Sequence, residues 1–311
     1  MYTKSSHKNL REHKMVNLPL ITIYTPTYNR EKLLPRLYDS LCNQTCKDFI
    51  WLVVDDGSSD GTENLINQWK QRAPFQIEFI YKENGGVHTA RDLAYSIINT
   101  KLLVGIDSDD SCLYDMVENI VNTWNQFKNQ NIIGIITPVC SDQGEWLGTS
   151  FPQTNFASFQ DLTFKHKCIG DHTIVVKSEI IKNIPNVPVF AGEKLVGEGY
   201  KWIQLPDTPF YLLKKATVIH CYMEDGYTQN VRKLWFKNLK GFAASYNIYS
   251  EKAKFFNIRI KNTIKYNIAN FFDGNFNCIA HSKNKIGSFF TYPLAFISYL
   301  YLKNKWEKLY K

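Results

Sequence analysis

Short apolar runs alternate with amphipathic stretches through the first 140 residues. Residues 20–24, 49–54, 77–81, 102–106 and 132–137 are almost continuously apolar and rich in β-branched or aromatic side chains, the pattern of strands buried on both faces. Between them, residues 31–41, 62–70, 90–98 and 116–127 carry apolar positions at helical spacing. Such alternation predicts βαβ units, hence an α/β fold with a mostly parallel sheet and helices on both faces. From 141 to 219 the pattern is mixed. Residues 174–176 and 211–219 read as strands, and 198–204 open a helix. From 228 the chain reads as helical, basic and aromatic, with no internal repeat and no low-complexity linker. These shifts divide it into a polar, disordered leader (1–17, with Met15 a candidate start), two halves of one domain (18–140 and 141–227) and a C-terminal extension (228–311).

Ligands of a parallel sheet sit beyond the C-terminal ends of its strands, so the residues after each run carry the information. They are Thr25-Pro26-Thr27-Tyr28-Asn29-Arg30, Asp55-Asp56-Gly57-Ser58, Glu83-Asn84-Gly85-Gly86 and Asp107-Ser108-Asp109-Asp110. Three carboxylates in four residues repel one another, and one takes up a proton unless a cation neutralises the group. A hard ion, Mn²⁺ or Mg²⁺, suits all-oxygen ligands and keeps phosphate and water in its shell. The plainer reading of the cluster is a strand-end turn, where Asp and Ser are favoured. A carboxylate of Asp55-Asp56 would accept the N3–H of a pyrimidine, and Ser59 or Asp60 would cap the helix near Thr62. Tyr28 offers a surface on which a base stacks. Gly85 and Gly86 lead into a helix whose first N–H groups favour phosphate, with Arg91 one turn further in to hold a diphosphate oxygen.

Taken together, these segments resemble family 2 of the inverting glycosyltransferases, the A-type fold, in its bacterial polysaccharide-building form. The likeness covers about the first 140 residues, in order and at matching spacing. It implies a nucleotide-sugar donor, a UDP-sugar by preference, and Mn²⁺ or Mg²⁺. The halves 18–140 and 141–227 would then bind nucleotide-sugar and acceptor. Thr25, Pro26, Tyr28, Arg30, Asp56, Gly85, Gly86, Arg91, Asp107, Ser108 and Asp109 would bind the donor, and Asp109 or Asp110 the metal. The family takes its general base from a helix start in the second half. Val196-Gly197-Glu198-Gly199-Tyr200-Lys201-Trp202 is similar to that segment, which assigns the base to Glu198, with Gly199 where a second acidic residue is usual. Glu193 is the rival, Asp171 a candidate on the acceptor side, and His220 a candidate metal or diphosphate contact. The stretch from Tyr222 to Thr228 is similar to a tyrosine–acidic–glycine segment of polysaccharide-building members. The expected reaction is transfer of a sugar, with inversion, to a hydroxyl of a glycan or lipid-linked acceptor in cell-surface polysaccharide synthesis. The alternatives are a non-catalytic nucleotide-binding scaffold and a sugar nucleotidyltransferase, although residues 25–30 are not the Gly- and Lys-rich phosphate loop of the latter.

Composition adds location. The net charge is +8, and from Gly226 to the end fifteen Lys/Arg face only Glu251, Asp273 and Glu307. A basic tail on a slightly acidic body suggests an anionic surface, a membrane rather than nucleic acid, since no nucleic-acid-binding motif accompanies it. The aromatic pairs Trp235/Phe236 and Phe255/Phe256 are candidates to enter a lipid interface. Seven scattered cysteines without metal spacing read as reduced thiols. With no signal peptide and no membrane-spanning run, the expectation is a cytoplasmic protein, peripheral on the inner face of the plasma membrane.

Overall fold

The structure, a computed structural model, describes residues 18–221 and 231–310. The expected leader and the 222–228 segment lie outside the described residues.

Successive βα units build the first half: β1 (Ile21–Thr27), α1 (Leu34–Cys42), β2 (Phe49–Asp55), α2 (Thr62–Lys70), β3 (Gln76–Tyr81), α3 (Val87–Ile97), β4 (Leu102–Gly105), β5 (Ser111–Cys112), α4 (Met116–Phe127) and β6 (Gly134–Cys140). The second half adds β7 (Phe156–Ala157), β8 (His172–Lys177), α5 (Ser178–Lys182), α6 (Gly199–Trp202), β9 (Phe210–Leu212) and β10 (Val218–Ile219). All lie in one sheet of order β3-β2-β1-β4-β8-β6-β10-β5, with β9 on β6 and β7 on β9. The pairs β1–β2, β2–β3, β1–β4, β6–β9 and β6–β10 are parallel. β8 is inserted antiparallel between β4 and β6. The chain runs outward from β1 through β2 to β3, then returns to place β4 on the other side of β1. The crevice between the ends of β1 and β4 is therefore the topological switch point, where open sheets bind ligands.

Each strand of the centre is buried on both faces, and successive side chains go to opposite sides. Ile21, Ile23, Trp51 and Val53 pack under α1, α2 and α4. Tyr24, Leu52, Val54 and Leu103 pack on the other face with Ala90, Ala94 and Tyr95 of α3 and Trp202 of α6. Helix α1 starts at Leu34 rather than at residue 31, because Pro35 is tolerated only in a first turn. The run 211–219 is two strands, β9 and β10, parted by Lys214 and Lys215; Lys215 reaches Asp115 at the start of α4. The seven cysteines are free thiols.

Beyond the sheet lie α7 (Val231–Lys237), α8 (Leu239–Lys252), α9 (Phe256–Phe272) and α10 (Lys285–Tyr310). They share a separate core of Ala243, Tyr266, Ala269, Phe271, Ala295 and Tyr299. Trp235 and Phe236 pack edge-on against Phe272, and Phe255 against Phe164. Of the four aromatics offered to a lipid interface, Phe256 is the exposed one.

Candidate active site

The strand ends meet as expected, but not every side chain faces the crevice. Thr25 follows Ile21 and Ile23 to the α1 side of β1. It is fully buried there, and its hydroxyl accepts a hydrogen bond from the Trp51 indole at 3.0 Å. The expectation that Thr25 binds the donor is not met by its side chain, which is held in the core. Pro26 is buried beside it. Tyr28, past the end of β1, is 49% exposed. Arg30 is half-buried, and its charge acts on Asp109.

Asp56 has a task that the sequence did not suggest. It is 3% exposed, accepts the N–H of Gly85 at 2.9 Å and of Gly86 at 2.7 Å, and pairs with Lys82. Its own carbonyl takes the side-chain amide of Asn84 at 2.7 Å. The carboxylate thus moulds the 83–86 loop, with three of its roughly four lone-pair sites engaged. Gly86 needs to be glycine twice over: its φ is +96°, and a Cβ would stand 2.1 Å from the carbonyl oxygen of Lys194. Lys194 in turn donates to the Asn84 carbonyl at 2.7 Å, so the 83–86 loop and the 193–198 segment rest on each other. Asp60 takes the Thr62 N–H at 3.1 Å, serving the start of α2 as expected.

Arg91 is the centre of the site. One of its guanidinium nitrogens lies 3.0 Å from Asp107 and another 3.4 Å from Glu198. Burial disfavours its charge, but Glu198 and Asp107 more than offset this and hold its pKa well above the ordinary value. Behind it, the hydroxyls of Tyr24 and Tyr95 are 2.8 Å apart. The next residue, Asp92, is buried, pairs with buried Lys201 at 2.9 Å and accepts the Val187 N–H at 2.6 Å. Two consecutive residues of α3 therefore fix the short helix α6 at both ends. Glu198, at its N-terminal edge, keeps its carboxylate 43% exposed.

The acidic cluster divides by environment. Asp107 is half-exposed and paired with Arg91. Asp109 is partly buried, and burial, then the charges of Asp107 and Asp110, raise its pKa against the opposing charge of Arg30. Ser108 is buried. Asp110 is buried and committed elsewhere: His220 lies 3.0 Å away, and the Cys221 N–H donates to it at 3.1 Å. Burial raises its pKa, and His220 opposes the rise. The hydrogen bond to Asp110 lifts the His220 pKa to about 9, burial working against it, so the ring is an imidazolium near neutrality. Its other nitrogen is 3.7 Å from Asp171. Among the described residues, no three His, Cys, Asp or Glu are grouped so as to hold a metal by themselves.

Glu193 is a helix cap, which corrects its standing as a rival base. Its two oxygens accept the N–H groups of Lys240 at 3.0 Å and Gly241 at 2.7 Å, in the first turn of α8, where a negative charge also meets the helix dipole. Glu193→Ala is expected to cost about 1 kcal/mol of stability with turnover little changed, read from denaturant melts beside steady-state rates.

Lys82, Lys194, Lys201 and the Tyr24–Tyr95 pair were absent from the sequence-based site. Only Lys82, directly after an apolar run, carried a local signal.

A switch-point crevice lined by an acidic strand end, a glycine loop and a facing carboxylate belongs to the glycosyltransferases of the A-type fold. The chain belongs to glycosyl transferase family 2, whose sequence profile matches residues 22–184, just over half its length. It is 26% identical over 234 residues to the minor teichoic acid biosynthesis protein GgaB of Bacillus subtilis (strain 168), covering 70% of this chain and 25% of that protein. It is 36% identical over 101 residues to the chondroitin synthase of Pasteurella multocida (strain Pm70), covering 32% of this chain and 10% of that one. The chain thus spans a quarter or less of these relatives. Among solved structures, S. aureus TarS 1-349 in complex with UDP-GlcNAc superposes with a TM-score of 0.57 at 13% identity, over 86% of this chain and 78% of that one. The mannosyltransferase PcManGT from Pyrobaculum calidifontis, in complex with GDP-Man and Mn²⁺, gives 0.51 at 15% identity, over 94% and 89%.

Proposed function

We propose that this chain transfers a sugar from a nucleotide-diphosphate donor, a UDP-sugar, to a hydroxyl of a glycan or lipid-linked saccharide during cell-surface polysaccharide synthesis, at the inner face of the plasma membrane. One observation carries the reading: a single guanidinium, Arg91, touches both the acidic strand end at Asp107 and the exposed carboxylate of Glu198. A base and a leaving-group site must stand this close for in-line displacement at the carbon between them.

In this proposal residues 18–140 bind the donor and 141–227 the acceptor. Tyr28 stacks on the base, and the open lone pair of Asp56 receives an imide N–H. The Gly85–Gly86 loop and the start of α3 lie along the diphosphate. Glu198 takes the proton from the acceptor hydroxyl, whose oxygen attacks the anomeric carbon from the face opposite the leaving group, so configuration inverts. Arg91, charged throughout, stabilises the negative charge that grows on the departing nucleoside diphosphate. The acidic cluster fits a divalent cation: burial, and then the charges of Asp107 and Asp110, hold Asp109 above the ordinary carboxylate range, and Mn²⁺ or Mg²⁺ would relieve the repulsive part. Asp109 would hold the ion with Asp107 beside it, while Asp110 joins only by giving up His220. With so few protein ligands, phosphate oxygens and water would have to complete its shell. Once bound, the ion neutralises diphosphate charge.

The test is release of UDP from a panel of UDP-sugars with Mn²⁺, alongside calorimetric titration of UDP into Asp109→Ala. Turnover of one donor, and loss of Mn²⁺-dependent UDP binding by about tenfold or more in the variant, are expected. Absence of turnover with every nucleotide-sugar overturns the activity, and unchanged affinity overturns the role of Asp109.

A further inference from the structure

Helix α10 is apolar on every side, yet among the described residues only one side is covered. Its inner side, with Ser288, Ala295 and Tyr299 buried, packs on α9. Its outer side presents Ile286, Phe289, Phe290, Leu294, Ile297 and Tyr301, all more than half exposed, with Ile286 and Phe290 at 76%. Apart from the adjacent Phe289 and Phe290, these six follow at three- and four-residue steps, so they form one stripe along the helix. A helix apolar all round belongs in a buried setting, and an exposed apolar stripe of this length marks a contact surface.

The charges around the stripe say what covers it. At about 100° per residue, Lys285 and Lys303 fall along one border and Lys305 along the other, all three exposed. From residue 278 to 305 there is no Asp or Glu. Over residues 285–305, a second copy laid on this face would bring lysines against lysines in either direction, with no acid of that stretch to meet them. A surface that is apolar within and anionic at its rim satisfies both parts. The groove on α9 formed by Phe256, Ile260 and Ile264 and bordered by Lys261 and Lys265 repeats the chemistry. No helix among the described residues is long and apolar enough to cross a membrane, so the stripe would lie in the interface plane.

We propose that the outer face of α10 docks on an anionic lipid surface, aromatic and aliphatic side chains entering the acyl boundary and Lys285, Lys303 and Lys305 meeting head groups. The inference stands apart from sugar transfer, since it uses no residue of the crevice. The test is co-sedimentation of the full chain with vesicles of phosphatidylcholine alone and of phosphatidylcholine with phosphatidylglycerol. Binding to the mixed vesicles, weakened by high salt and at least about tenfold weaker on the neutral ones, is expected. Phe290→Glu/Ile297→Glu should lose it at an unchanged melting temperature, and Lys285→Glu/Lys303→Glu should lose it through charge alone. The proposal is overturned if wild type and both variants sediment alike. It is equally overturned if the wild type ignores vesicles and instead forms a dimer, in analytical ultracentrifugation, that Phe290→Glu/Ile297→Glu abolishes.

Discussion

Glu198→Gln is expected to lower kcat by about 10²–10⁴-fold, the range that a positioned general base supplies, while UDP affinity stays near wild type. The amide keeps the shape of the side chain but cannot take a proton. Its neighbours limit collateral change: Lys201, three residues on, is held by Asp92 and by the Ile184 carbonyl, so α6 stays on α3 without the Arg91 contact. Single-turnover rates with saturating donor, beside calorimetric UDP titration, separate chemistry from binding. A variant that turns over near the wild-type rate removes Glu198 from the role of base, and with Glu193 capping α8 the search would move to Asp171.

Arg91→Ala is expected to lower kcat/KM by about 10²–10³-fold, comparable to the removal of one donor from a preorganised charge-stabilising site. Two effects combine. The leaving group loses a cation that is charged at every working pH, and Asp107 and Glu198 face each other with nothing between them. Arg91→Lys is the discriminating partner. A lysine is a point charge and cannot reach two carboxylates from one planar fork, so it should restore donor affinity more than turnover. If Arg91→Ala keeps both kcat and kcat/KM, the guanidinium is a packing element only.

Much of this was legible along the chain because it is local. Helices α2 and α4 begin and end where periodicity puts them, and β1 to β4 fall on the largely apolar runs. Which way a side chain points in such a run is not legible, since both faces are buried and alternation is silent. Thr25 therefore read as a pocket residue, although the pleat turns it to Trp51. Partners far apart in sequence were equally hidden. Asp110 meets His220 and Cys221 some 110 residues on, and Glu193 meets α8 nearly 50 residues on. Asp110 read as a metal ligand and Glu193 as a rival base until the fold supplied these counterparts. The antiparallel entry of β8 left no trace in composition, because a strand buried on both faces has the same apolar run in either direction.

The anchoring of α6 has an outcome for how such chains diversify. The stretch before it is tied down at Val187, through Asp92, and again at Glu193, through α8. Between these ties lies an exposed tip around Val189 and Ala191, with Gly192 at positive φ in open space. Insertions there would lengthen the tip without transmitting any displacement to Glu198. The loop can thus grow while Glu198 keeps its place against Arg91, and the same tip is where foreign segments are best grafted.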